Sequence, residues 1–264
     1  MAAAGGMIRA AGAGPMLDAV TLVRIAVVAF VLLAWESLSR SGLLFRDVVP
    51  PLWAIGNALV LELASRDFYW HLGWTGMEVG AALAIGETSG LIAGLILGGN
   101  RLLRRAFQPY LYYLGPTPKI IFFPIMIMWF GTGPGSKVAL GTISCFFPVA
   151  LSVAAGMQQI DETLIRVGRS FRASSLQMVS KIYLPAMRHP IVNGVRLGLG
   201  VAIIATLLAE TKLSNRGIGH LIIQAYALFN MPRMYALLIV LFVLAIGANA
   251  LVGRLAGIDV PRRA

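Results

Sequence analysis

Charge is what this chain has least of. Only 12 % of its 264 residues are charged, against ~25 % in an average globular protein. With 58 % hydrophobic residues and a mean hydropathy of +0.80, it lacks the polar surface to keep a compact body in water. A single cysteine, Cys145, excludes a disulfide scaffold, and the apolar content excludes collagen-like and disordered chains. No Gly-x-x-x-x-Gly-Lys-Ser/Thr occurs, so the chain offers no Walker-type nucleotide site. His71, His189 and His220 fall in separate segments without metal-ligand spacing, and neither a metal nor another cofactor is expected. An integral membrane protein remains.

The formal charge is +11, from 22 Lys and Arg against 11 Asp and Glu. The basic residues sit mostly between apolar runs, where they set topology. No basic stripe interleaved with aromatics occurs, so no nucleic-acid partner is expected.

Six stretches are long and apolar enough for membrane helices, which need ~20 such residues. They run from about Ala19 to Ser39, Leu72 to Gly99, Phe107 to Phe130, Lys137 to Met157, Ile191 to Leu213 and Arg233 to Leu255. Continuous apolar runs, without the alternation of barrel strands, give an all-α polytopic fold. Residues 1–18 read as a flexible N-terminus, 19–257 as a single transmembrane domain, and 258–264 as a tail. The first apolar run is too long for a signal-peptide core and is expected to be retained. Placing both termini in the cytoplasm puts the larger share of Lys and Arg inside, including the tight cluster Arg101, Arg104 and Arg105. The loop 40–71 then lies outside, with Phe68, Tyr69 and Trp70 as an interfacial belt.

The loop 158–190 lies inside and is too polar for a span. Asp161 or Glu162 can start a short helix, with carboxylates at its positive end. Ile160, Leu164, Val167 and Phe171 form one apolar stripe, while Arg166, Arg169 and Arg172 lie on other faces. Ala173-Ser174-Ser175 interrupts, and Ser174 or Ser175 can cap a second helix that Leu184-Pro185 ends. Two short helices with a sharp corner suit either packing on the membrane surface or a knob fitting a cleft on a soluble partner.

At these residues the chain resembles a family. Gly168, Arg169, Ser170, Phe171, Ala173, Ser174 and the closing Ile182-Tyr183-Leu184-Pro185 stand where permease subunits of ATP-binding-cassette importers carry their cytoplasmic coupling loop. Thr117-Pro118-Lys119-Ile120, Pro124, Trp129-Phe130-Gly131-Thr132-Gly133 and Ser136-Lys137 are similar to the third span and turn of the nitrate/sulfonate/taurine subfamily. Phe146-Phe147-Pro148, Gly194-Val195-Arg196-Leu197, Glu210 and Asn215-Arg216-Gly217-Ile218-Gly219 continue the match. Two positions depart from it: Arg166 replaces the family's Glu, and Arg172 replaces its loop Gly. A corner built differently, or a partner cleft with compensating acidic groups, would accommodate them.

The resemblance implies a permease of an importer in the bacterial inner membrane, paired with a second permease subunit, most simply a copy of itself. It further implies cytoplasmic ATPase subunits and a periplasmic solute-binding protein, with a small solute such as nitrate, a sulfonate, taurine or a vitamin precursor as cargo. Asp161, Glu162 and the residues to Pro185 would then couple to the ATPases, which hydrolyse ATP in place of this chain.

Within the spans, Gly86, Gly90, Gly94 and Gly98 repeat every four residues, a smooth face for helix packing, a dimer seam or a gate. Glu78 and Glu87 sit on nearly opposite faces at roughly 100° per residue. Glu78 is expected near the outer surface and hydrated, and Glu87 to make the internal contact. Glu87, Lys119 in a proline-broken stretch, Arg196 and Glu210 are the candidates for a translocation path. A proton-coupled secondary transporter using Glu87 or Glu210 is the alternative reading.

Overall fold

The computed structural model describes residues 19–43 and 48–255; the expected flexible N-terminus and C-terminal tail lie outside the described residues. Every regular element among these is helical. The chain divides into two compact units between Ala54 and Ile55.

In the first unit, α1 (Ala19–Ser41) is apolar around its whole circumference and buries no residue. Its last turns bind the segment that follows. Trp35 Nε1 donates to the Pro50 carbonyl at 3.0 Å, and Ser39 Oγ to the Val49 carbonyl at 2.9 Å. Glu36 accepts from the Leu52 N–H at 3.1 Å and pairs with Arg40 at 2.7 Å. Pro50 and Pro51 carry no N–H to start a ladder, so side chains satisfy the nearby backbone groups.

Helix α2 (Leu52–Ala64) leads to α3 (Arg66–Gly99), whose 34 residues span about 50 Å at 1.5 Å per residue. That exceeds the ~30 Å hydrocarbon core, and the helix begins six residues before the expected span. Of the aromatic belt, Tyr69 and Trp70 are exposed but Phe68 is fully buried with Leu207, Ile218, Leu221 and Leu237.

Next come α4 (Arg101–Leu114) and α5 (Phe123–Phe130), joined through a 3-10 turn at Lys119–Phe122 and bent by 93°. The third span is therefore a broken pair. Pro116 and Pro118 lack the N–H groups that would carry the helix through. Among the described residues five helices are long and apolar enough to cross a membrane, and counting this bent pair as one span makes six.

Helix α6 (Pro134–Gln158) forms the centre, packed against α3 on one side and α10 (Arg188–Lys212) on the other. The row Glu78, Ala82, Gly86, Gly90 and Gly94 is buried along its whole length. A Cβ at Gly90 would sit 2.8 Å from the Phe146 carbonyl, and one at Gly94 2.6 Å from Val153 Cβ. Gly86 meets Cys145 and Thr142, and Gly98 meets Met157. The ladder thus packs α3 on α6 within one chain.

Between α6 and α10 lie α7 (Glu162–Ser170), α8 (Ser175–Met178), a π turn at Val179–Tyr183 and α9 (Leu184–Ala186). Leu184-Pro185 does not end the second helix as expected. The wider π turn carries the chain past the proline, and helical structure continues to Ala186. Helices α11 (Ile218–Ala227) and α12 (Met231–Leu255) complete the chain.

Candidate translocation and coupling sites

Two polar constellations lie near opposite ends of α10. At its C-terminal end, three side chains, two of them far from the third in sequence, become one buried network with the backbone at the start of α11. Glu210 is fully buried; it accepts from Thr75 Oγ1 at 2.8 Å and from the Gly219 N–H at 2.7 Å. Thr75 in turn accepts from the Ile218 N–H at 2.8 Å, and His71 Nδ1 from the Gly217 N–H at 3.0 Å. The first N–H groups of α11 have no intrahelical acceptor, and α3 and α10 supply the oxygens they need. Gly217, at φ +96°, lies directly on the Glu210 carboxylate, where a Cβ would collide. Only glycine holds that backbone at no steric cost.

Glu78 and Lys137 lie beside this network, 0 % and 1 % exposed. Glu78 is not hydrated, contrary to expectation, because α6 and α10 close over its face of α3. Beyond a carboxyl–carboxyl hydrogen bond with Glu210, its oxygens have no partner. Lys137 Nζ donates to the Gly133 carbonyl at 3.0 Å and also to that of Thr132. His71 and His220, expected in separate segments, stack with ring centroids 5.8 Å apart. Among the described residues no group of three or more His, Cys, Asp or Glu could hold a metal ion.

The other candidates scatter. Glu87 is half-buried on α3; the internal contact expected of it belongs instead to Glu78 and Glu210. Lys119 donates to the Gly115 carbonyl and stands 5.0 Å over the Phe147 ring. The Arg196 guanidinium lies against Gly253 of α12, and its Nε is buried without a hydrogen bond. The structure therefore does not gather Glu87, Lys119, Arg196 and Glu210 into one site.

The second constellation is the corner before α10. Asp161 caps α7 by accepting from the Thr163 N–H at 2.8 Å, a bond that holds its carboxyl below the usual carboxylate range. Arg166 pairs with Glu162 at 2.9 Å, both exposed. Gly168 is buried because a Cβ there would collide with Ile182 and Met178 of the following segment. The helix ends in a Schellman motif: the Ala173 N–H donates to Gly168 at 3.0 Å and the Arg172 N–H to Arg169 at 2.9 Å. Arg172 holds the left-handed position at φ +54°. The corner keeps the shape that a glycine permits, with an arginine in it. Ser174 and Gln177 then form a reciprocal capping box on α8.

The apolar stripe points the other way from a packing face. Ile160 joins the core with Val153, Met157 and Met187, and Ile165 packs on it. Leu164 and Val167 face out with Phe171 and Leu176, the last two 82 % and 78 % exposed. The doubly capped corner thus leaves an apolar surface uncovered.

In the second unit, long apolar helices pack on the central α6, and a capped corner stands between α6 and α10. A solved structure supports this fold: the inward-facing MetNI methionine ABC transporter superposes at a TM-score of 0.58 and 20 % identity, covering 78 % of this chain and 95 % of that one. Residues 90–263 match the binding-protein-dependent transport system inner membrane component family, and the chain belongs to that family. Relatives include the taurine transport system permease protein TauC of Escherichia coli, 28 % identical over 91 % of this chain and 90 % of its own length. The nitrate import permease protein NrtB of Leptolyngbya laminosa is 25 % identical over 74 % and 70 %, respectively. The formylaminopyrimidine transport permease protein ThiX of Halalkalibacterium halodurans is 25 % identical over 77 % and 81 %. The chain is a multi-pass permease subunit of an ATP-binding-cassette importer, and the proton-coupled alternative is set aside.

Proposed function

We propose that two copies of this chain form the translocation path of an inner-membrane importer for a small solute that a periplasmic binding protein delivers. ATP hydrolysis belongs to separate cytoplasmic ATPase subunits, which grip the α7–α9 corner and rock the spans between inward- and outward-open states. Both termini lie in the cytoplasm, as does the corner, and residues 19–257 act as one transmembrane domain. The observation that carries this reading is the corner itself: Phe171 and Leu176 stand out on capped short helices, with Arg169 and Arg172 beside them.

The exposed apolar side chains of α5, Met128, Trp129 and Phe130, suit a seam against the second copy or lipid. Of the path candidates, Glu87, Lys119 and Arg196 are half-buried, whereas Glu210 is fully enclosed. The relatives' cargoes, taurine, nitrate and a formylaminopyrimidine, favour a small polar solute with selectivity set mainly by the binding protein.

Co-expression with ABC ATPase subunits from the same genome tests the assembly. The expected result is a stable complex whose ATP turnover drives solute uptake in proteoliposomes. Phe171→Asp is expected to abolish uptake while the purified permease keeps its thermal stability. A permease that never associates with an ATPase refutes the reading, and so does normal uptake by Phe171→Asp.

A further inference from the structure

The buried carboxylate of Glu78 is the least explained group in the molecule. It is fully enclosed, and beyond a carboxyl–carboxyl hydrogen bond with Glu210 its oxygens have no partner. Ionising a buried carboxyl with no cation beside it costs several kcal/mol by order of magnitude, so Glu78 takes a charge only in an arrangement that brings a cation to it. The charged groups acting on Glu78 are Glu210 beside it on α10, Lys137 on α6 and Arg216 on the segment before α11. Glu210 is already engaged by Thr75 and Gly219. Arg216 is only half-buried, with its guanidinium 4.2 Å over the Trp74 ring.

Lys137 is different. It is enclosed like Glu78, and Glu78 and Glu210 are the opposite charges acting on it. Its ammonium nonetheless forms an ion pair with neither and donates instead to the carbonyls of Thr132 and Gly133. Those carbonyls belong to the turn between α5 and α6, where Gly131 takes φ +73° and a Cβ on Gly131 or Gly133 would meet nothing within 4 Å. The turn has room to move, and a lysine has four flexible carbons and a compact charge.

We propose that Lys137 is a two-position tether. In this conformation its ammonium holds the Thr132–Gly133 turn; when the turn moves away during the transport cycle, the ammonium closes on Glu78. Glu78 and Lys137 are then positioning residues for the α5–α6 turn, each stabilising one of two discrete states. The ammonium keeps polar partners in both states, two carbonyls in one and the Glu78 carboxylate in the other, so neither state leaves it stranded and a bias from the transport cycle switches them. This proposal rests on the importer reading for the cycle that moves the turn, but not for the encounter of Lys137 with Glu78.

Thr132 is exposed, and only its main-chain oxygen takes part, so Thr132→Cys reports on the turn without removing the contact. The experiment labels that cysteine with a membrane-impermeant maleimide in the assembled transporter, with and without ATP and vanadate. Trapping is expected to change the labelling rate severalfold in the parent and not at all in Glu78→Gln. Uptake by Glu78→Gln is expected to fall by on the order of tenfold, with partial rescue by Glu78→Asp. A Glu78→Gln variant with altered melting but an unchanged labelling response has only a structural role at this position, which overturns the proposal. Normal uptake does the same. In the permease alone, thermal melting of Glu78→Gln, Lys137→Met and the double variant is expected to show non-additive effects. Strict additivity overturns the tether whether or not an ATPase assembles, whereas failure of assembly alone refutes only the importer reading.

Discussion

The two ends of α10 solve opposite problems. At its C-terminal end, Glu210, Thr75, His71 and the first N–H groups of α11 satisfy one another in a buried network drawn from three helices. At its N-terminal end, the corner satisfies its backbone locally, through Asp161, Ser174 and Gln177, and leaves its apolar side chains uncovered. A network closed on itself fixes one arrangement of helices. A corner that is braced inside and uncovered outside suits the coupling role proposed for it. The difference implies that substitutions at the first end cost stability, whereas substitutions at the second end cost coupling.

The largest break in that contrast is Glu210→Ala. It strands the Thr75 hydroxyl and the Gly219 N–H in a buried site, and leaving such groups unsatisfied costs about 1–3 kcal/mol each. The purified permease is expected to lose about 3 kcal/mol or more, read as a large drop in melting temperature or as failure to accumulate. Glu210→Gln keeps acceptor and shape and is expected to lose less than half as much. Next in size is Gly94→Leu in the ladder. Its side chain would enter the space of Val153 and the Ala150 carbonyl, and overpacking of this kind costs about 1–3 kcal/mol. Gly80→Ala, with nothing within 4 Å of its added Cβ, is expected to be neutral or slightly stabilising. Equal losses at Gly94 and Gly80 would mean that the ladder does not seat α3 on α6.

What the sequence disclosed about these two ends follows the same line. The caps were legible: Asp161 and Ser174 act on backbone groups two or three residues away, and that chemistry travels with the local sequence. The glycine spacing was legible because close packing needs a bare face every four residues. Periodicity grouped Leu164, Val167 and Phe171 on one face but did not show which face the core takes; Ile165 and Gly168 took it, because α8 and the π turn approach there. Glu78 was misread for a related reason. Its depth is set by α6 and α10, which are far away in sequence, and one helix's pattern carries no trace of them. The pairing of His71 with Gly217 is of the same kind; its one available signal was the glycine-flanked turn before α11, whose N–H groups need acceptors from elsewhere.

A smaller effect sharpens the comparison at the corner. Arg172 holds φ +54°, a conformation that costs an L-residue with a Cβ roughly 1–2 kcal/mol. Arg172→Gly is therefore expected to raise stability by about 1 kcal/mol, visible as a higher melting temperature of the purified permease. If Arg172 contributes to docking through its charge, the same variant couples ATP turnover to uptake less well, and stability and transport move in opposite directions. A variant that gains stability and keeps full transport would mean that the arginine is tolerated at this corner without serving it.

The smallest expected effect concerns Arg166. Its pair with Glu162 spans one helical turn, and both side chains are more than three-quarters exposed. Such pairs contribute about 0.3–0.5 kcal/mol and are screened by salt. Glu162→Gln is expected to lower the melting temperature by an amount that vanishes at high ionic strength. Its effect on coupling separates two roles for the arginine. With Glu162 neutral, α7 presents one more uncompensated positive charge beside Arg169. A partner whose cleft is acidic will then bind the corner more tightly at low salt, whereas a partner that reads only Phe171 and Leu176 will not respond. The salt dependence of ATPase association in Glu162→Gln against the parent therefore tells whether the reversed charge at position 166 belongs to the docking surface or only to its own helix.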